Sequence, residues 1–192
     1  MILLLDPDDP DGEGDEIDRL ANAGRRRIDA ALRRQLDAVT AALDADNLNN
    51  VERLIPTDDD DLREALERLL RESAGRGVRL TAQKLNQVSI GVNWNLANES
   101  ARTWAQQYSY ELVSRIDGNS RRMLQDAVSR WITSGDPLDA LIDDVSAIFG
   151  PVRGNMIAVT EATRAYAEGS FTTYEQAGFN QRPPEEDRPP AH

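Results

Sequence analysis

From Ile17 to Leu43 the apolar residues recur at steps of three and four. The series is Ile17, Leu20, Ala21, Gly24, Ile28, Ala31, Leu32, Leu36, Val39 and Leu43. That period is the period of an α-helix with one apolar stripe, and it excludes a strand over the same residues. It predicts a helix from Ile17 to about Ala45, with Asp15 as its cap and a stop at Asp46-Asn47. Composition points the same way. Aromatic residues are only 5% of the chain, too few for the β-branched and aromatic faces of a sandwich. The predicted fold class is therefore all-α, a bundle of about six helices with more than about 60% of residues helical, against a base rate near one third.

Punctuation residues divide the remainder. Pro56-Thr57 followed by Asp58-Asp59-Asp60-Asp61 predicts a helix start, because a capping hydroxyl and first-turn acids suit a helix N-terminus. The Asp run lacks the alternation and the glycine of a calcium loop. Leu62, Leu66, Leu69 and Leu70 supply the stripe, and Gly75-Arg76-Gly77 predicts its end. A long segment opens at Thr81, with Trp104, Tyr108, Leu112 and Ile116 at four-residue spacing and Gly91 a candidate kink. Asp117-Gly118-Asn119-Ser120 reads as a stop, a turn and a new cap. Gly135, Asp136 and Pro137 read as C′, N-cap and N1 residues, and Gly150-Pro151 as another break. The last helix is predicted over Arg153–Gln176. These marks predict an acidic disordered arm (1–16), an N-terminal helical region (17–74), a second helical domain (81–179) and a Pro-rich disordered tail (180–192). Trp104, Tyr108, Leu112, Leu124, Trp131, Leu141, Ile148, Ile157 and Tyr166 are the predicted core of the second region.

Chemistry is sparse. The chain has no cysteine and one histidine, His192, which excludes thiol catalysis and leaves a histidine triad or His-rich metal site without residues. Glycine-rich phosphate loops and nucleophile elbows are absent. Asp143-Asp144, Glu161 and Glu168 would form a metal site only if they converged, and they read better as solvated or Arg-bridged groups. No enzyme, cofactor or metal is expected. The net charge is −12, of which residues 1–16 hold −7. A basic nucleic-acid footprint is thus missing. No apolar run reaches the roughly 18 residues that span a bilayer, so no membrane contact is expected. Twenty-one of the 22 basic residues are Arg, a composition suited to carboxylate pairs on helix surfaces. The long stripe of helix 17–45 predicts that residues 17–74 need another surface, either a second copy or a protein partner; the alternative is that helix 17–45 folds back on helix 58–73 and on residues 81–179 in one monomeric bundle.

One segment carries a resemblance. Arg153, Ile157, Ala158, Thr160, Glu161, Ala165 and Gly169 stand at the positions of an R-a-x-x-I-A-x-T-E-x-x-x-A-x-x-x-G helix. It resembles the signature of phage head morphogenesis proteins, the Mu F-like minor head protein family. The order of helices over residues 80–179 is similar too. The resemblance implies a minor head protein of a tailed phage or prophage, working in the host cytoplasm during assembly and then in the virion head. It implies contact with the portal protein, the major capsid protein or both, with self-association and weak contact with packaged DNA as further contacts. Members commonly continue into a Cys- or His-bearing module, whereas here Gln181-Arg182-Pro183-Pro184 follows, so nothing tied to that module is implied. Read bottom-up, the motif is a packing or interface element, because its small residues let another helix approach closely. The alternative reading of the whole chain is a small non-viral helical adaptor or regulatory protein.

Overall fold

A computed structural model describes residues 12–44 and 51–179. About 88% of these residues are helical and none is in a strand. The chain forms five α-helices and one 3-10 turn: α1 (Glu13–Asp44), the turn Val51–Leu54, α2 (Asp60–Gln87), α3 (Trp94–Ser134), α4 (Leu138–Phe149) and α5 (Pro151–Gln176). Five α-helices stand where about six were expected, because two predicted breaks are helical while a new break falls between Gln87 and Trp94.

The first of these is Gly75-Arg76-Gly77, which lies inside α2. Gly77 is there for packing. A Cβ on it would collide with the backbone carbonyl of Tyr166 on α5, and a Cβ on Gly169 would collide with that of Ala74 on α2. The α2–α5 pair, the most extensive helix contact in the structure, is thus a backbone-to-backbone crossing. The expected boundary at residues 75–80 therefore has no break in the chain. The actual end of α2 is a Schellman motif: Ile90 N–H bonds to Leu85 O and Ser89 N–H to Asn86 O, both at 3.0 Å. Ser89 (φ 61°), not a glycine, takes the left-handed position. Asn93 then caps α3 by accepting from Leu96 N at 3.1 Å.

The second is Asp117-Gly118-Asn119-Ser120, a continuous part of the 41-residue α3. Polar side chains there point to partners that favour the helix. Ser120 Oγ donates to Ile116 O at 2.9 Å, and Asp117 is fully buried between helices. Other boundaries shift less. Asp59, not Thr57, caps α2, accepting from Leu62 N at 2.9 Å. Pro137 precedes α4 without a side-chain cap, so Asp136 is not its N-cap. Pro151 takes the first turn of α5, and Gly135 (φ 72°) ends α3 as expected.

α1, α2, the first half of α3 and α5 pack side by side; α1 runs antiparallel to α2 and α5, α2 runs antiparallel to the first half of α3, and α2 and α5 run parallel, with Ala74 against Gly169 and Val78 against Thr173. Glu13 meets Lys84, Asp59 meets Asp117, and Asp29 lies against Gly154. The second half of α3 runs past the bundle, and α4 folds back along it and onto α1. Ile28, Leu32, Val39 and Leu43 are fully buried against the other helices. The stripe of helix 17–45 is therefore covered by the chain's own α2 and α5, and residues 17–74 do not need an outside surface. The arm is shorter than expected, since Glu13–Glu16 form the first turn of α1. Acids suit that position, and Glu16 also pairs with Arg76 at 2.8 Å. The expected arm over residues 1–11, the expected stop at Asp46-Asn47 and the expected tail 180–192 lie outside the described residues.

Leu112, Leu124, Leu141, Ile148 and Tyr166 are buried as predicted, while Trp104, Tyr108, Trp131 and Ile157 are half-buried against the core. Trp104 and Tyr108 stand one residue, about 100° around the helix, before buried Ala105 and Ser109, so they fall at the edge of the stripe. The buried stripe of early α3 is instead Ala97, Ala101, Ala105, Ser109 and Val113.

Candidate interaction surface on the last helix

α5 presents two unlike faces. The inner face is made of Gly154, Ala158, Glu161, Ala162, Ala165, Tyr166, Gly169, Thr172 and Thr173. Five of these nine are Gly or Ala, and the two crossings on α5 are closed by glycines: Gly169 against Ala74 and Gly154 against Asp29. The small residues of the motif do let a helix approach closely, and the helices that approach are α2 and α1 of the same chain. Asp29 faces the first turn of α5, where the helix dipole favours an anion.

The remaining motif residues fall in three places. Arg153 ties three helices, donating to Ile148 O at 2.7 Å and to Ile116 O at 3.2 Å. Burial pushes its pKa down, opposed by the nearby Asp117 charge. Ile157 is half-buried and packs on the core, and Thr160 is exposed. Glu161 is only 6% exposed, on the side of α5 that meets α3. Its Oε2 lies 3.5 Å from Arg164 Nη1. Burial pushes the Glu161 carboxyl up, partly offset by Arg115. Arg164 and Arg115 both donate to the Tyr108 hydroxyl and lie over its ring, 5.5 and 5.4 Å from the centroid. Tyr108 in turn stacks on Trp104, with centroids 5.0 Å apart and planes 13° off parallel. The Thr-Glu motif thus seats one acid, two Arg and two aromatic rings at the α3–α5 seam. Such a cluster fixes helix register; it holds no nucleophile with an adjacent base.

A second polar cluster escaped the sequence reading. Gln35 Nε2 donates to Asp59 Oδ2 at 2.9 Å and to Asp117 Oδ1 at 3.1 Å, and Asp59 N–H donates to Asp117 Oδ2 at 3.2 Å. Arg121 donates to the carbonyls of Ile55 and Pro56 beside them. Burial pushes the Asp117 carboxyl up, against its hydrogen bonds from Gln35 and Asp59. The available signal was position: Val113, Asp117, Ser120 and Leu124 are spaced four, three and four, so Asp117 stands on the buried stripe.

Val152 (75% exposed), Met156 (64%) and Val159 (37%) line the outer face of α5 at helical spacing. Pro151, Asn155, Thr160 and Thr163 complete it, and none of the exposed residues from Pro151 to Thr163 is charged. In a chain with 29% charged residues, that is an uncharged strip of about three turns. Asp144 pairs with Arg130 at 3.0 Å. Among the described residues no group of three or more His, Cys, Asp or Glu could hold a metal ion, and no helix is long and apolar enough to cross a membrane. Compared with known proteins, the chain matches no family model, no curated protein and no solved structure.

Proposed function

We propose that this chain is a minor head protein of a tailed phage or prophage, acting in head assembly through contacts with the portal protein, the major capsid protein or both. One observation carries the reading: the residue-by-residue likeness of Arg153–Gly169 to the head morphogenesis signature, from Arg153 through Ile157-Ala158 and Thr160-Glu161 to Ala165 and Gly169. The role is non-catalytic. It is exercised in the host cytoplasm during assembly and then in the head. The inner half of α5 is spent on the bundle, so the partner surface is its uncharged outer face, Val152, Met156 and Val159. Apolar, charge-poor patches are the surfaces that protein partners cover. With a net charge of −12, contact with packaged DNA is weak and secondary.

Co-expression with the portal protein and the major capsid protein of the same genome tests the proposal. The chain should co-purify with at least one of them, and Met156→Asp should weaken that association about tenfold or more, the effect of about 1.4 kcal/mol. Met156 is exposed, so the variant should fold normally. Failure to associate with either protein would remove the proposal. Neighbouring portal and terminase genes would support it independently.

A further inference from the structure

The apolar stripe of α1 is covered by α2 and α5. Its opposite face is open, and the charge there is unlike that of the chain as a whole. The exposed residues from Arg19 to Arg34 are five Arg (19, 26, 27, 33 and 34), Asn22, Ala23 and Ala30. None is acidic, in a chain whose net charge is −12. Exposed Asp18 and Asp37 close the strip at its two ends. Arg19 pairs with Glu16 at 3.5 Å and Arg34 with Asp61 at 2.8 Å, while Asp29, beside the strip, is held by Arg25 at 3.9 Å. Arg26, Arg27 and Arg33 make no ion pair among the described residues.

The positions are ordered. At about 100° per residue, Ala23 and Ala30 fall on one line along the face, with Arg26 and Arg33 to one side of it and Arg27 and Arg34 to the other. The members of each pair are seven residues apart, a rise of about 10.5 Å. On its α2 side the face opens into a groove of about 260 Å³, lined also by Asp61, Glu64, Ala65 and Arg68. Small residues between two rows of guanidinium groups make a seat for a helix that carries carboxylates. The alanines let its backbone come close, and the Arg rows reach acids on both flanks of its contact face. A helix lying along α1 repeats at the same step of seven, so its acids meet Arg26 and Arg27, then Arg33 and Arg34, in register. Duplex DNA fits less well. Over the three base-pair steps that rise about 10 Å its phosphates turn about 100° around the axis and leave a straight row. Its charge also meets the −12 of the whole chain.

We infer that the outer face of α1 docks an acidic helix of a protein partner, held by Arg26, Arg27, Arg33 and Arg34. The inference stands apart from the head-protein reading, which rests on α5.

The probe is a labelled helical peptide of about three heptads with Glu at every e and g position, and its twin has Gln in place of Glu. Fluorescence anisotropy with the full-length chain should show saturable binding of the Glu peptide and none of the twin. Binding should weaken about tenfold or more as salt rises from about 50 to about 300 mM. Arg26→Glu/Arg33→Glu should weaken it at least about tenfold. Arg102→Glu/Arg122→Glu makes the same change of net charge at exposed sites on α3 and should weaken it less than about threefold. Met156→Asp, on the outer face of α5, should bind as the parent does. All the altered residues are exposed, so circular dichroism should match the parent in every variant. Equal losses from the two Arg variants would reduce the effect to net charge. Tighter binding of a duplex of about 20 base pairs would assign the face to nucleic acid, and a dimer dissolved by Arg26→Glu/Arg33→Glu would assign it to a second copy. Each of these outcomes, or no binding of the Glu peptide, would overturn the inference.

Discussion

Gly118 and Gly169 both sit inside long helices, yet an added methyl group meets opposite conditions at the two. Around Gly118 nothing lies within 4 Å of the new Cβ. Gly118→Ala should stabilise the protein by up to about 1 kcal/mol, since Ala loses less entropy in a helix. At Gly169 the Cβ would run into the Ala74 carbonyl, a backbone atom that cannot step aside. Gly169→Ala should cost about 1–3 kcal/mol by overpacking. Urea unfolding of the two variants checks both signs, and equal midpoints would mean that the α2–α5 crossing is not as close as described. Glu161 gives a second residue-scale test. Its carboxyl is raised above the ordinary 4.5 by burial. The folded state therefore holds the proton more tightly than the unfolded chain does. The stabilisation this provides is present below pH 4.5 and is lost as pH rises through the raised value. Glu161→Gln lacks that dependence. Relative to the parent, its stability should grow from pH 4.5 to neutral pH, and a difference that stayed constant or shrank would contradict the burial of this carboxylate.

At the level of elements, the cap of α2 shows how a helix start becomes a tertiary junction. Asp59 accepts from Leu62 N with one oxygen and from the buried Gln35 amide with the other, while its own N–H donates to Asp117. Asp59→Ala should cost more than the roughly 1 kcal/mol of an ordinary cap, since it also removes a partner from buried Gln35. Thr57→Ala, at an exposed residue, should change the melting temperature little. The comparison also shows why these borders were only partly legible. The stripes of α1, α4 and α5 could be read because their apolar period is regular, and α4 and α5 are also bounded by Gly or Pro. The run Asp58–Asp61 announced a helix start, but which acid caps it depends on Gln35 and Asp117, 24 and 58 residues away. Gly75 and Gly77 read as a stop, because sequence alone does not reveal that a second backbone lies against Gly77. Ser89 gave no stop signal, since a serine in the left-handed position is uncommon. The motif on α5 was legible as a close-packing stripe, but not that the approaching helix belongs to the same chain.

For the molecule as a whole, the decisive fact is that the two halves share one core. A split near residue 80 was natural from Gly75-Arg76-Gly77, and it would leave residues 81–179 as a module able to act alone. The inner face of α5 argues otherwise. Ala158, Ala162 and Ala165 are fully buried, and α5 makes its two most extensive contacts with α2 and α1. Those two helices contribute Ile28, Leu32, Val39, Leu43, Leu62, Leu66, Leu69 and Leu70, each 1% exposed or less. Without α1 and α2 the inner face of α5 has no cover, and Ala158, Ala162 and Ala165 would face water. Residues 81–179 expressed alone should therefore lose the cooperative thermal transition of the full chain and expose apolar surface, seen as dye binding. Circular dichroism and a thermal melt decide it. A sharp transition in the fragment, with helix content matching α3–α5, would mean that the second half has a core of its own and that α1 and α2 are an accessory layer.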